Sequence, residues 1–266
     1  MARRIRIAIL LCILFGVVLY AIKDIRSRRE RNTWERSVDV AIVIVHVDGT
    51  PAVDRSVLDA FTARTDVLGA RLTAEMARYR TGSPLVPFRF HLKGPVSTAS
   101  AVPPPPTGDG IVDLAKHSRA ITKWAEDIDE RGGIVESMYD SRIYVLAKKA
   151  SAIDDAFVEG QSELGGRLGF VEVELDAGMV DLAEIVVAHE LFHTLGATDK
   201  YDASGHVRHP EGYVEPNAVP LHPQRFAEIM ARNRPTGPNQ EAVPDTLDEL
   251  GVGAATAEEI GWLKSK

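Results

Sequence analysis

The sequence predicts an α/β fold: a mixed sheet packed against helices, preceded by one N-terminal transmembrane helix. Three observations predict it. β-branched and helical patterns follow one another in the order strand, helix, strand, helix, strand, strand, the order of an open sheet with helical connections. Composition is ordinary for a folded domain, 45% apolar and 26% charged, so a core forms without staples. A single long uncharged run stands at the N-terminus, between Arg6 and Lys23.

That run, "IAILLCILFGVVLYAI" over residues 7–22, is about 24 Å long as a helix, a little short of a full bilayer crossing. Its flanking Arg and Lys side chains snorkel and make up the difference. A cleaved signal peptide is the rival reading, since "MARRIR" is a good basic start. Bulky Leu19, where a cleavage site wants a small residue, favours a retained anchor. Cys12 inside the run is the chain's one cysteine. It excludes an intramolecular disulfide and any cysteine-based metal cluster. Residues 1–6 are then a short basic tail, 7–22 the anchor in a lipid bilayer, 23–36 a basic juxtamembrane linker, and 37–266 the folded domain. Charge separates accordingly. Residues 1–36 hold 9 Lys and Arg against 3 Asp and Glu, out of chain totals of 31 and 38. The remainder is therefore strongly acidic, which argues against a nucleic-acid partner, while the collar suits anionic headgroups. The collar, by the positive-inside rule, holds the domain inside, whereas the short basic tail sends it out. We expect an extracytoplasmic domain.

The elements follow in order. "VDVAIVIVHV", residues 38–47, is a β-branched run ended by "DGTP" and reads as a buried strand. Residues 53–80 place Leu58, Phe61, Leu68, Leu72 and Met76 near helical spacing. "LVPFRFHLKG", residues 85–94, reads as a second strand with Pro87 near its start. "AVPPPPTGDG", residues 101–110, is a polyproline-type loop. Residues 111–130 read as a helix and "RIYVLAKK", 142–149, as a third strand. "GFVEVELD", 169–176, alternates apolar with acidic and reads as a half-exposed strand.

"DLAEIVVAHELFHTLG", residues 181–196, is the helix that carries chemistry. Asp181 with Glu184 three residues later resembles a capping box, and Gly196 is a natural stop. His189 and His193, at i and i+4, face the same way and offer adjacent corners of a metal site. Glu190 is rotated off that corner yet within reach of a metal-bound water, as a general base would be. Gly196 can turn the chain sharply, and three residues bring Asp199 back toward the metal. Two histidines and a carboxylate are a normal ligand set for zinc. Asp202 is the nearest competitor for the third place. Glu211, Glu215, His206, His209 and His222 are more distant ones.

"HELFHTLGATD" resembles the metzincin zinc-peptidase signature HExxHxxGxxH, with Asp199 in the place of the last histidine, as in the snapalysins. The resemblance is tight over residues 189–199 and loose elsewhere. It implies a metzincin or zincin-like fold, a zinc ion held by His189, His193 and Asp199, Glu190 as catalytic base, and a peptide or protein substrate. It also implies a methionine turn beneath the metal, for which Met230 in "RFAEIMARN" is the candidate. Many relatives carry a tyrosine two residues after that methionine, where this chain has Arg232. Tyr201 or Tyr213 is then the candidate for oxyanion stabilisation. The C-terminal "TAEEIGWLKSK" reads as a last helix, with Thr256 and Glu259 in a capping box. Two other functions fit the same residues: a non-catalytic zinc or protein-binding domain, and a zinc hydrolase acting on a small amide.

Overall fold

The computed structural model describes residues 15, 16, 18, 30–106, 108, 110–150, 158–162 and 165–264. The chain order is β1 (Val38–Val47), α1 (Arg55–Tyr79), β2 (Phe88–Thr98), α2 (Ile111–Gly132), β3 (Ser141–Lys149), β4 (Val158–Ser162), β5 (Leu168–Leu175) and α3 (Val180–Thr194). Short pieces follow: β6 (Ala227–Glu228), β7 (Arg234–Gly237), β8 (Gln240–Ala242), β9 (Leu250–Gly251) and α4 (Ala254–Glu259). The anchor expected over residues 7–22 lies outside the described residues except for Phe15, Gly16 and Val18. Among the described residues no helix is long and apolar enough to cross a membrane.

Five strands form one mixed sheet in the order β2-β1-β3-β5-β4. The first four are parallel, and β4 runs antiparallel along the edge beside β5. β1 is apolar from Val40 to Val45 because both of its faces are covered there. Val40, Ile42 and Ile44 join a core with α1 and α3. Ala41, Val43 and Val45 point the other way, onto Trp124, Ala125 and Ile128 of α2. The molecule is therefore a three-layer sandwich, with the period-2 alternation of β1 divided between two cores. On β5 the acidic face is mixed: Glu172 is exposed, but Glu174 is buried beneath Lys148, 2.9 Å away.

Four expectations change. β2 starts at Phe88 rather than residue 85, because its ladder begins opposite Val38. It also runs past Gly94–Pro95, with a register shift opposite Val43–Val45. An edge strand can lose the proline's donor without cost to the sheet. The capping box at Asp181–Glu184 does not form: the cap is Met179, without a side-chain bond. Asp176 caps the preceding turn instead, accepting from Gly178 N at 2.7 Å and Met179 N at 3.0 Å. Asp181 pairs with Arg64 at 2.5 Å, and Glu184 turns inward to accept from Thr65 at 2.6 Å. Burial pushes the Glu184 carboxyl up to about 8. The C-terminal box fails likewise: Gly253 caps α4, and Thr256 is buried inside the helix. Finally, residues 30–36 are packed on the domain rather than forming a free linker. Buried Arg31 donates to Gly165 O at 3.0 Å and Gly166 O at 2.8 Å. Asn32 donates to Leu195 O at 2.8 Å, and Trp34 to Ile260 O at 2.7 Å.

Candidate metal centre

α3 has apolar residues on all sides, and eleven of its fifteen residues are buried. A helix of that kind belongs inside the molecule, so any polar side chain on it must find a partner there. His189, Glu190 and His193 lie together at the floor of a cleft of about 720 Å³. Each of the three offers a ligand atom within 4.8 Å of the others.

Both rings are oriented by backbone carbonyls. His189 Nδ1 donates to Ile229 O at 2.9 Å, and His193 Nδ1 donates to Ala197 O at 2.8 Å. A carbonyl only accepts, so each neutral ring keeps its lone pair on Nε2. The second carbonyl is supplied by the turn after the helix. Gly196 takes the left-handed φ of 98° that the sequence anticipated, which folds Ala197 O back over His193.

The same turn delivers Asp199. Its Oδ1 lies 3.3 Å from His189 Nε2 and 3.2 Å from His193 Nε2. With both ring protons on Nδ1, neither approach is a formed hydrogen bond, and Asp199 Oδ1 is buried without a donor. Burial opposes ionisation of Asp199, but once a facing ring takes up a proton its Nε2–H donates to Oδ1, and that pairing outweighs burial, raising the His193 pKa and holding the carboxyl well below its usual range. With both rings neutral, three acceptors converge on one point, an arrangement that a bound cation or an added proton satisfies. The spacing fits a tetrahedral ion with bonds of about 2.0–2.1 Å, whose ligand–ligand edges are about 3.3–3.4 Å. Asp199 Oδ1 lies at this spacing from both rings.

Glu190 faces the edge strand. A Cβ on Gly160 would meet Glu190 Oε1 at 2.1 Å, and a Cβ on Gly169 would meet Glu190 Cβ at 3.2 Å. Two glycines on neighbouring strands therefore make the room that this carboxylate occupies. Its Oε2 is buried without a partner. Burial raises its pKa, against the opposing effect of His189.

The ligand turn is clamped from the C-terminal helix. Glu259 accepts from Thr198 N at 2.9 Å and from Lys200 Nζ at 2.7 Å, so it holds the residues on both sides of Asp199. Lys200 N donates to Met230 O at 2.8 Å. Met230 is fully buried, and its turn is tied by Glu228, whose Oε2 accepts from Met230 N at 2.7 Å. Through Ile229 O and Met230 O this turn supports both His189 and the Asp199 loop.

Of the other expected residues, Tyr201 and Arg232 line the cleft, whereas Tyr213 is outside it, bonded to His222 at 3.1 Å. Asp202 closes its own turn, accepting from Ser204 N at 2.8 Å. Asp202, His206, His209, Glu211, Glu215 and His222 are absent from the cleft lining. Sequence reasoning missed β4, Gly160, Glu228 and Lys200, and read Glu259 as part of a capping box rather than as the clamp on the ligand turn. For Lys200 the available signal was a lysine directly after a candidate ligand. No family model and no curated protein matches the chain.

Proposed function

We propose that the chain is a membrane-anchored, zinc-dependent metallopeptidase of metzincin type, with its domain on the extracytoplasmic side. The observation that carries this reading is the convergence of His189 Nε2, His193 Nε2 and Asp199 Oδ1 at 3.2–3.3 Å, with Glu190 beside them. His189, His193 and Asp199 would hold the ion. Zinc bound there supplies Lewis-acid polarisation of a carbonyl and a water acidic enough to attack it. The remaining work falls to the chain. Glu190 accepts the proton of the attacking water and later delivers it to the leaving amine. Burial favours that role, because a carboxylate with a raised pKa is the stronger base. Tyr201, at the cleft wall, keeps its proton, since burial and the nearby Asp199 charge push its pKa to about 12. It is therefore a hydrogen-bond donor at neutral pH, suited to the oxyanion.

A peptide substrate is favoured over a small amide by β4. All five residues of this edge strand line the cleft, and its partner β5 occupies only one of its sides. An extended chain can pair with the free side by main-chain hydrogen bonds. The metzincin assignment draws on the motif and on the Met230 turn beneath His189. The test is hydrolysis of a peptide library by the full chain and by Glu190→Gln. The variant should retain zinc and lose cleavage. Unchanged cleavage by the variant would remove Glu190 from the mechanism.

A further inference from the structure

We infer that Arg232 is a specificity-determining residue that binds a carboxylate of the substrate at the wall of the cleft. This rests on the peptidase reading of the site. Arg232 is the one cationic arginine or lysine among the described residues lining the cleft. Its acidic neighbours there are Glu159, Glu190, Asp199 and Glu228, yet it is paired with none of them. Nearby arginines are engaged: Arg234 with Glu249 at 3.2 Å, Arg71 with Glu75 at 3.0 Å. The Arg232 guanidinium has only the Tyr201 ring, 5.6 Å away. That contact fixes its direction without using its donors, and the side chain is exposed to whatever enters.

The backbone points the same way. Arg232 has a φ of 65°, in the left-handed region that L side chains avoid. The conformation is imposed by the tight turn around it, where Ala231 N donates to Glu228 O at 2.8 Å and Asn233 N to Ala231 O at 2.7 Å. Glycine or asparagine would sit there more easily, so the arginine stands there against local preference. Tyr201 stands two residues after Asp199, and thus the guanidinium lies one aromatic ring from the candidate ligands. A planar fork of donors at that place matches a carboxylate in two-point contact. The carboxylate has two sources, an acidic side chain near the scissile bond or the α-carboxylate of a chain end.

The experiment measures binding, which separates it from catalysis. The full chain carrying Glu190→Gln is saturated with zinc and titrated with short alanine peptides. One series walks a single Glu or Gln along the peptide, and the other compares a free C-terminal acid with its amide. We expect the carboxylate member of at least one pair to bind about tenfold more tightly. Arg232→Gly, which suits the left-handed backbone, should bring the members of that pair level, and Arg232→Lys should keep part of the difference. A preference confined to the first series assigns an acidic side chain, and one confined to the second a chain end. Equal binding within every pair, or a preference that survives Arg232→Gly, overturns the inference. Carboxylate preference without cleavage of any peptide by the unmodified chain would instead count against the peptidase reading.

Discussion

The two faces of the sheet each bury a polar cluster, and they are built on opposite rules. Under α2, Asp129 Oδ1 accepts from Tyr144 at 2.8 Å, its Oδ2 pairs with Arg142, and Arg142 reaches Glu136 at 3.0 Å. Acid and base are matched, and burial with the neighbouring acid holds the Tyr144 phenol well above its usual range. Beside α3, by contrast, the Nε2 atoms of His189 and His193 and Asp199 Oδ1 face one another as acceptors, while Glu190 Oε2 has no partner. A buried cluster that satisfies itself is structural. One whose acceptors face each other without a donor is the arrangement a bound cation would complete.

The comparison can be broken most severely at Glu190. Glu190→Gln should cut peptide hydrolysis by about 10²–10⁴-fold while leaving zinc content and melting temperature near those of the unmodified chain. Arg142→Met should do the reverse. It strands Asp129 in the core, with an expected loss of about 3–5 kcal/mol in denaturant unfolding and unchanged zinc stoichiometry. If Arg142→Met also released the metal, the two clusters would not be independent.

A milder test asks whether the outer partners of the metal site matter. Glu259→Gln loosens the clamp on Thr198 and Lys200. Zinc affinity should fall by about 10–100-fold, measured by chelator competition. The gentlest test uses Glu184, a half-satisfied case: one oxygen meets Thr65 and the other has no partner. Its folded pKa of about 8 exceeds the 4.5 of an ordinary glutamate. Between those values the folded state holds a proton that the unfolded chain has released. Stability should therefore fall as pH rises through that window, and Glu184→Gln should flatten the decline in a melting series.

These regions also differ in how plainly the sequence announced them. The α3 site was legible because its information is local: two histidines at helical spacing, a glycine three residues on, and an aspartate three beyond that. β1 was legible from its β-branched run. β4 was not, since "VEGQS" has no alternation and is a strand only through its ladder with β5. Both expected capping boxes failed for one reason. An acid three residues after a candidate cap also arises when tertiary structure recruits it, and Thr65 and Lys200 did so for Glu184 and Glu259. Likewise the packing of residues 30–36 depends on carbonyls more than 100 residues away, beyond any local pattern.

The central claim is that Asp199 completes a metal site with His189 and His193. It is tested most directly by zinc titration of the full chain and of Asp199→Ala under identical conditions. The account predicts one zinc per chain for the unmodified protein and at least about 100-fold weaker binding for the variant, because a direct ligand should matter more than the outer partners. Equal zinc affinity in the two proteins, or no zinc bound by either, would contradict it.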